Sequence, residues 1–114
     1  MRSFYDAFRG IASAFRSEFN MRIHVAAAVL VAVAGFYFKI AAAEWGLIVV
    51  CISAVIAMEL INTAIEKLCN HVTAEHHPAI KQIKDIAAAA VLVTALGSIA
   101  VALIIFLPKV ILLF

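Results

Sequence analysis

IAAAAVLVTALGSIAVALIIFL, from Ile86 to Leu107, runs for twenty-two residues without a charge. That is the length an α-helix needs to cross a hydrocarbon core about 30 Å thick. Outward from it, two further runs have the same character. VAAAVLVAVAGFYF, Val25 to Phe38, is uncharged and extends to Ala43 once Lys39 snorkels its amine to the interface. WGLIVVCISAVIAM, Trp45 to Met58, is the other, with Trp45 placed as an interfacial aromatic anchor. Pro108 and Lys109 close the last run. The expected spans are therefore residues 25–43, 45–68 and 85–107, approximately, within a single unit covering residues 1–114.

Composition leads to the same place. Of 114 residues, 67% are hydrophobic and only 14% are charged, with a mean hydropathy of +1.12. A domain this short cannot enclose so much apolar surface, which excludes a disordered chain and a water-soluble monomer. Four glycines and two prolines exclude collagen-like and linker-rich chains. Cys51 and Cys69 match no paired metal spacing and read as reduced packing residues.

The first 24 residues do not read as a signal peptide, because charges from Arg2 to Arg22 punctuate them throughout. Phe4, Phe8, Ile11, Phe15 and Phe19 recur at spacings of four, three, four and four, while Arg2, Arg9 and Arg16 recur every seven on another face. A helix facing a protein core would show the same pattern. Next to three spans it reads as an interfacial helix over 1–24, its phenylalanines among acyl chains and its arginines at phosphates. Four arginines here, with Lys67, Lys81 and Lys84, lie on one side of the spans, against Lys39 and Lys109 on the other. The positive-inside rule puts the N-terminus and the loop 69–84 in the cytoplasm, and the C-terminus outside.

Chemistry gathers where the second span ends. MELINTAIEKLCN, Met58 to Asn70, separates Glu59, Asn62, Glu66 and Asn70 by three, four and four residues. On a helix these form one polar stripe about 16 Å long, with Thr63 beside it. Two carboxylates and an amide on one face suit a divalent cation or general-base work. The plainer account leaves Glu66 and Lys67 as solvated helix-end residues, with only Glu59 to explain. Carboxylates inside a membrane are costly, and as a rule functional, which favours the stripe.

Other groups admit two accounts each. Glu18 and Arg22, four apart, form an exposed ion pair, or Glu18 completes a metal site with Glu66 at the same depth. Glu75, His76 and His77 invite zinc, but adjacent histidines point apart. Lys81, Lys84 and Asp85 either pair with a phosphate or mark the membrane boundary. His24, at the start of the first span, suits a capping or interfacial role. No GxxxxGKS/T loop, GxGxxG, HExxH or nucleophile elbow is present. Phosphate chemistry here would rest on metal ions held by carboxylates and on scattered cations.

SEFNMRIH at Ser17–His24, the Glu59-Asn62-Thr63-Ala64-Glu66 spacing, Glu75 and His77 in the loop, and KDIAAAAVL from Lys84 together resemble the prokaryotic integral-membrane diacylglycerol kinase family, which includes the undecaprenol kinases of Gram-positive bacteria. The resemblance implies an all-α integral membrane fold, one interfacial amphipathic helix plus three transmembrane helices, assembled as a homotrimer with active sites shared between subunits in the bacterial cytoplasmic (inner) membrane. It implies a lipid kinase that transfers the γ-phosphate of MgATP to a lipid hydroxyl. Diacylglycerol, giving phosphatidic acid, is the first expected acceptor and undecaprenol the alternative. By resemblance Glu59 is the general base and touches the lipid hydroxyl, and Asn62 belongs to the same catalytic face. Glu18 and Glu66 hold the Mg²⁺ bound to ATP. Glu75, His77, Lys84 and Asp85 contact the nucleotide, and Arg9 sits near the lipid headgroup. Nucleic acid is not an expected partner. One departure is Asn70, where many members have Asp, so the stripe carries one charge fewer.

Two other classes fit parts of the pattern. A small proton-coupled transporter could use Glu59, but its acid should lie near the midplane with partners in other spans, whereas these polar groups crowd one end. A non-catalytic assembly module would suit the alanine runs at 26–28 and 87–90, which allow close helix packing.

Overall fold

The computed structural model describes residues 2–73 and 75–114. Four helices, α1 (Arg2–Ser17), α2 (Phe19–Phe38), α3 (Ala42–Val72) and α4 (Pro78–Leu113), account for nearly all of them. The last three are long and apolar enough to cross a membrane. α3 packs mainly on α4 and secondarily on α2, and α1 rests against α2 and α3. Cys51 and Cys69 are both free thiols.

The helix expected over 1–24 is broken at Glu18. That residue adopts extended backbone (φ −119°, ψ 116°) and becomes the N-cap of α2, so residues 19–24 belong to the first long helix. Arg22 explains why the break is tolerated. Its Nε donates to the Phe15 carbonyl at 3.1 Å and its Nη2 to the Arg16 carbonyl at 2.9 Å, satisfying acceptors that the last turn of α1 leaves open. The exposed Glu18–Arg22 ion pair therefore does not form; Arg22 is committed to backbone, and Glu18 is released to face elsewhere.

α1 leaves its phenylalanines outside. Phe4, Phe8, Ile11, Phe15 and Phe19 are all exposed, and Ala14 is the one residue of the helix that is buried. A core-facing helix would have inserted that stripe into the bundle. Left outward, it needs an apolar medium beside it, which an interface supplies.

At the opposite end, α2 stops at Phe38 rather than continuing to 43, because Lys39 takes the left-handed conformation (φ 53°, ψ 53°) and Ile40 N–H closes back on the Gly35 carbonyl at 3.2 Å. Glu44 then starts α3, its Oε1 accepting from Ala41 N–H at 2.9 Å. Its Oε2 accepts from Lys109 Nζ at 2.9 Å, and the same amine donates to the Ile105 carbonyl at 3.0 Å. This bridge pins α4 to α3 around Pro108, which does not end the helix at 107: α4 runs on to Leu113. A proline near a helix end removes only one interior hydrogen bond, and here the turn is held from outside.

Beneath that bridge lies an apolar cluster of Ile40, Ile48 and Ile105, with Phe38, Trp45 and Phe106 packed against it. Trp45 packs against Phe36 with ring centroids 4.8 Å apart and planes tilted by 50°. Gly35 makes the approach possible, since a Cβ there would lie 2.6 Å from Trp45 Cη2 and 2.8 Å from Cζ2. Gly35→Ala should therefore destabilise the fold by about 1–3 kcal/mol through overpacking. Thermal unfolding in detergent, monitored by the fluorescence of the single tryptophan, checks this; an unchanged midpoint and spectrum would show that the ring swings aside freely.

Helix length sets the depth of the polar groups. α3 has 31 residues and α4 has 36, or about 46 and 54 Å at 1.5 Å per residue. Both exceed a bilayer core, and both outrun the expected 45–68 and 85–107 because their polar end turns stay helical. Glu59 lies seventeen residues into α3, about 25 Å from its start and thus near one edge of the apolar slab.

Candidate active site

Glu59 is 1% exposed, and with Met21 is one of two large side chains fully enclosed among the described residues. The stripe spacing seen in the sequence does turn one face inward: Asn62 (6%) and Thr63 (4%) are buried beside it, Glu66 is half-buried and Asn70 is exposed. Burial falls along the stripe from Glu59 to Asn70, although Cys69 beside Asn70 is still buried.

Glu59 Oε1, Asn62 Oδ1 and Thr63 Oγ1 are buried without any hydrogen-bond partner among the described residues. Leaving such a group unsatisfied costs about 1–3 kcal/mol, more for a charged one, so three adjacent cases mark a place where stability yields to something else. Glu59 Oε2 faces His24 Nε2 at 3.7 Å, an electrostatic contact longer than a hydrogen bond. Glu18 and Glu66 are near enough for their charges to act on Glu59. Three carboxylates and one imidazole from α2, α3 and the α1–α2 break are thus gathered at one end of the bundle. The break at Glu18 turns the chain there, and the 3.6-residue period of α3 brings Glu66 two turns from Glu59.

His24 is the residue whose contact with the stripe sequence reasoning missed. It caps no helix end; its Nε2 lies 3.7 Å from Glu59 Oε2. The available signal was depth: His24 is fourteen residues from the end of α2 at Phe38, and Glu59 is seventeen from the start of α3 at Ala42, so an antiparallel pair joined by a short turn sets them at about the same level.

The loop residues group separately. Lys84 Nζ donates to Asn70 Oδ1 at 2.6 Å, tying the start of α4 to the end of the stripe. Lys81 and Asp85 pair at 2.7 Å across one exposed turn. His77 is the N-cap of α4, its Nδ1 accepting from Ala79 N–H at 3.1 Å. That bond leaves Nε2 as its free ring nitrogen. Glu75 is exposed, and its N–H donates to Thr73 Oγ1 at 3.1 Å. Arg9 is exposed on α1, its guanidinium 5.8 Å from the Tyr5 ring centroid. It precedes Glu18 by nine positions, about 13 Å along the helix, so it does not join the carboxylates.

Among the described residues no three potential metal ligands of the His, Cys, Asp or Glu type converge. A carboxylate pair is a different case: Mg²⁺ is held by one or two carboxylates together with substrate phosphates, and keeps waters besides.

A bundle of membrane-length helices with carboxylates, amide and cations toward one end has the groups that chemistry on a charged substrate at a bilayer edge requires. The profile of prokaryotic diacylglycerol kinase matches residues 5–106, and the chain belongs to that family. It is a lipid kinase, in a multi-pass membrane setting. Over 108 residues it is 44% identical to the undecaprenol kinase of Bacillus subtilis (strain 168), covering 95% of this chain and 88% of that one. It is 32% identical over 107 residues to a diacylglycerol kinase of Synechocystis sp., covering 93% of this chain and 61% of that one. With a diacylglycerol kinase of Pseudomonas aeruginosa it shares 37% over 82 residues, 71% and 66% of the two chains. The transporter reading finds no support in these matches.

Proposed function

We propose that this chain transfers the γ-phosphate of ATP to the hydroxyl of a long-chain lipid alcohol, with Glu59 as the general base. The observation that carries it is the enclosed Glu59 carboxylate, whose Oε1 has no partner among the described residues. A carboxylate so placed can accept the hydroxyl proton. The hydroxyl oxygen then bonds the γ-phosphorus as the bond to the β-phosphate oxygen breaks, and ADP departs. Asn62 supplies an amide that is still unspent, one turn further along the same face.

Glu18 and Glu66 are the hard-oxygen pair that would hold Mg²⁺, their half-buried carboxylates fitting an ion completed by phosphate oxygens. When bound, the ion neutralises charge on the β- and γ-phosphates. Glu75, His77, Lys84 and Asp85 form the nucleotide side. Asn70 sharpens the role of Lys84, because a neutral amide partner leaves the ammonium charge uncompensated, whereas an aspartate would neutralise it. That charge suits a phosphate.

Two acceptors are supported. The 44% identity to an undecaprenol kinase favours a polyprenol; the family description favours diacylglycerol, which would yield phosphatidic acid. Purified protein in detergent with MgATP should form a phosphate ester from at least one of them, measured by transfer of labelled γ-phosphate. Labelling of neither alcohol refutes the function.

The polar end faces the cytoplasm in this reading, where ATP is, with the N-terminus and the loop 69–84 on that side of a bacterial cytoplasmic membrane. The assembly is a homotrimer. Within one chain Glu18 and Glu66 are already near enough for their charges to act on Glu59, so the shared element is Arg9, whose helix carries it away from the carboxylates. Co-refolding inactive Arg9→Ala chains with inactive Glu59→Gln chains should then restore part of the activity, because some hybrid sites inherit both wild-type residues. No recovery after verified mixing would mean that each chain builds its site alone.

A further inference from the structure

Resting on the kinase reading, we infer that His24 is a positioning residue for the base: it holds one oxygen of the Glu59 carboxylate so that the other meets the acceptor hydroxyl. The two oxygens of Glu59 are not equivalent in the structure. Oε2 faces His24 Nε2 at 3.7 Å, while Oε1 has no partner among the described residues. His24 is partly exposed (21% of its side chain) and Glu59 almost wholly enclosed (2%), so the imidazole is the element of this pair that meets the outside.

What it meets is a cavity of about 300 Å³ between α2, α3 and α4, lined by His24, Ala28, Ile52, Val55, Ala95 and Ser98 among others. Apart from His24, Ser98 and the Cys51 thiol, that lining is apolar. His24 therefore stands where an apolar compartment ends and the carboxylate cluster begins. An alcohol whose chain lies in the cavity brings its hydroxyl toward the His24–Glu59 pair. Glu18 and Glu66 are near enough for their like charge to act on the same carboxylate. Against those two, the His24 imidazole is the polar group that faces Oε2, at 3.7 Å, and with its proton on Nε2 it fixes which oxygen stays free.

Two substitutions test this. His24→Leu keeps the volume and removes the donor; His24→Gln keeps an N–H at similar reach. With a labelled phosphate-transfer assay, His24→Leu should lower kcat by about 10–100-fold, as misplacement of a reacting group does, with KM for MgATP unchanged within about twofold. His24→Gln should recover most of that loss. In a Glu59→Gln background, His24→Leu should cost no further activity, since the residue acts only through Glu59. Full activity of His24→Leu overturns the inference, and so does an equal loss in both backgrounds, which would mark a general packing role. Because His24→Gln is the gentler change, a His24→Leu chain that fails to fold leaves the comparison with it: Gln at or above a tenth of parental kcat supports positioning, and Gln inactive though folded overturns it. A parent that labels neither alcohol overturns the kinase reading itself, an outcome distinct from an active parent that is indifferent to His24.

Discussion

Glu59→Gln should lower kcat by about 10²–10⁴, the usual contribution of a positioned general base, while MgATP binding stays within about twofold of the parent. The amide keeps the size of the carboxylate and loses its capacity to accept the hydroxyl proton. Stability should move the other way. The wild-type carboxylate is 1% exposed, has an unpartnered oxygen, and lies near Glu18 and Glu66. Removing a charge held there relieves desolvation and like-charge repulsion, so the thermal midpoint in detergent should hold or rise. The combination discriminates: a structural residue would lose activity together with folded protein. More than about a tenth of parental turnover, in a folded variant, would remove Glu59 from the role of base.

Glu18→Gln and Glu66→Gln should each weaken nucleotide binding about tenfold or more in the presence of Mg²⁺, roughly 1.4 kcal/mol. Each change removes a hard oxygen charge from the pair proposed to hold the ion. The magnesium concentration required for half-maximal ATP binding should rise in both. In the absence of divalent cation, the variants should bind ATP at least as tightly as the parent, because the carboxylates then contribute only repulsion toward phosphate. Identical titrations with and without Mg²⁺ in all three proteins would dissolve the metal-site assignment. Taken with Glu59→Gln, the pattern separates chemistry from binding: one carboxylate governs turnover, two govern the nucleotide.

The stripe from Glu59 to Asn70 shows how far residue order reaches. Its spacing sets the four polar groups on one side of α3 before any other helix is considered, and burial falls along that side from Glu59 to Asn70. The family motif at those positions was legible for the same reason, since a helix repeats locally. The partnerships were not. Arg22 stands four residues from Glu18, at the spacing of an ion pair, yet its guanidinium goes to the Phe15 and Arg16 carbonyls because the chain breaks between them. Lys109 and Glu44 lie 65 residues apart and meet at 2.9 Å; nothing local signals such a contact.

The sequence by itself determined the three long apolar helices, the amphipathic character of the first segment and the polar face of α3, because hydropathy and the 3.6-residue period are properties of each segment alone. Only the tertiary structure decided that the chain breaks at Glu18, that the phenylalanines of α1 stay outside, that Lys84 reaches Asn70, and that His24 rather than solvent faces Glu59. Those outcomes depend on the register of one helix against another. The left-handed turn at Lys39 sets that register for α2 against α3, and the Glu44–Lys109 bridge sets it for α3 against α4. A period along one helix carries no information about its height relative to the next.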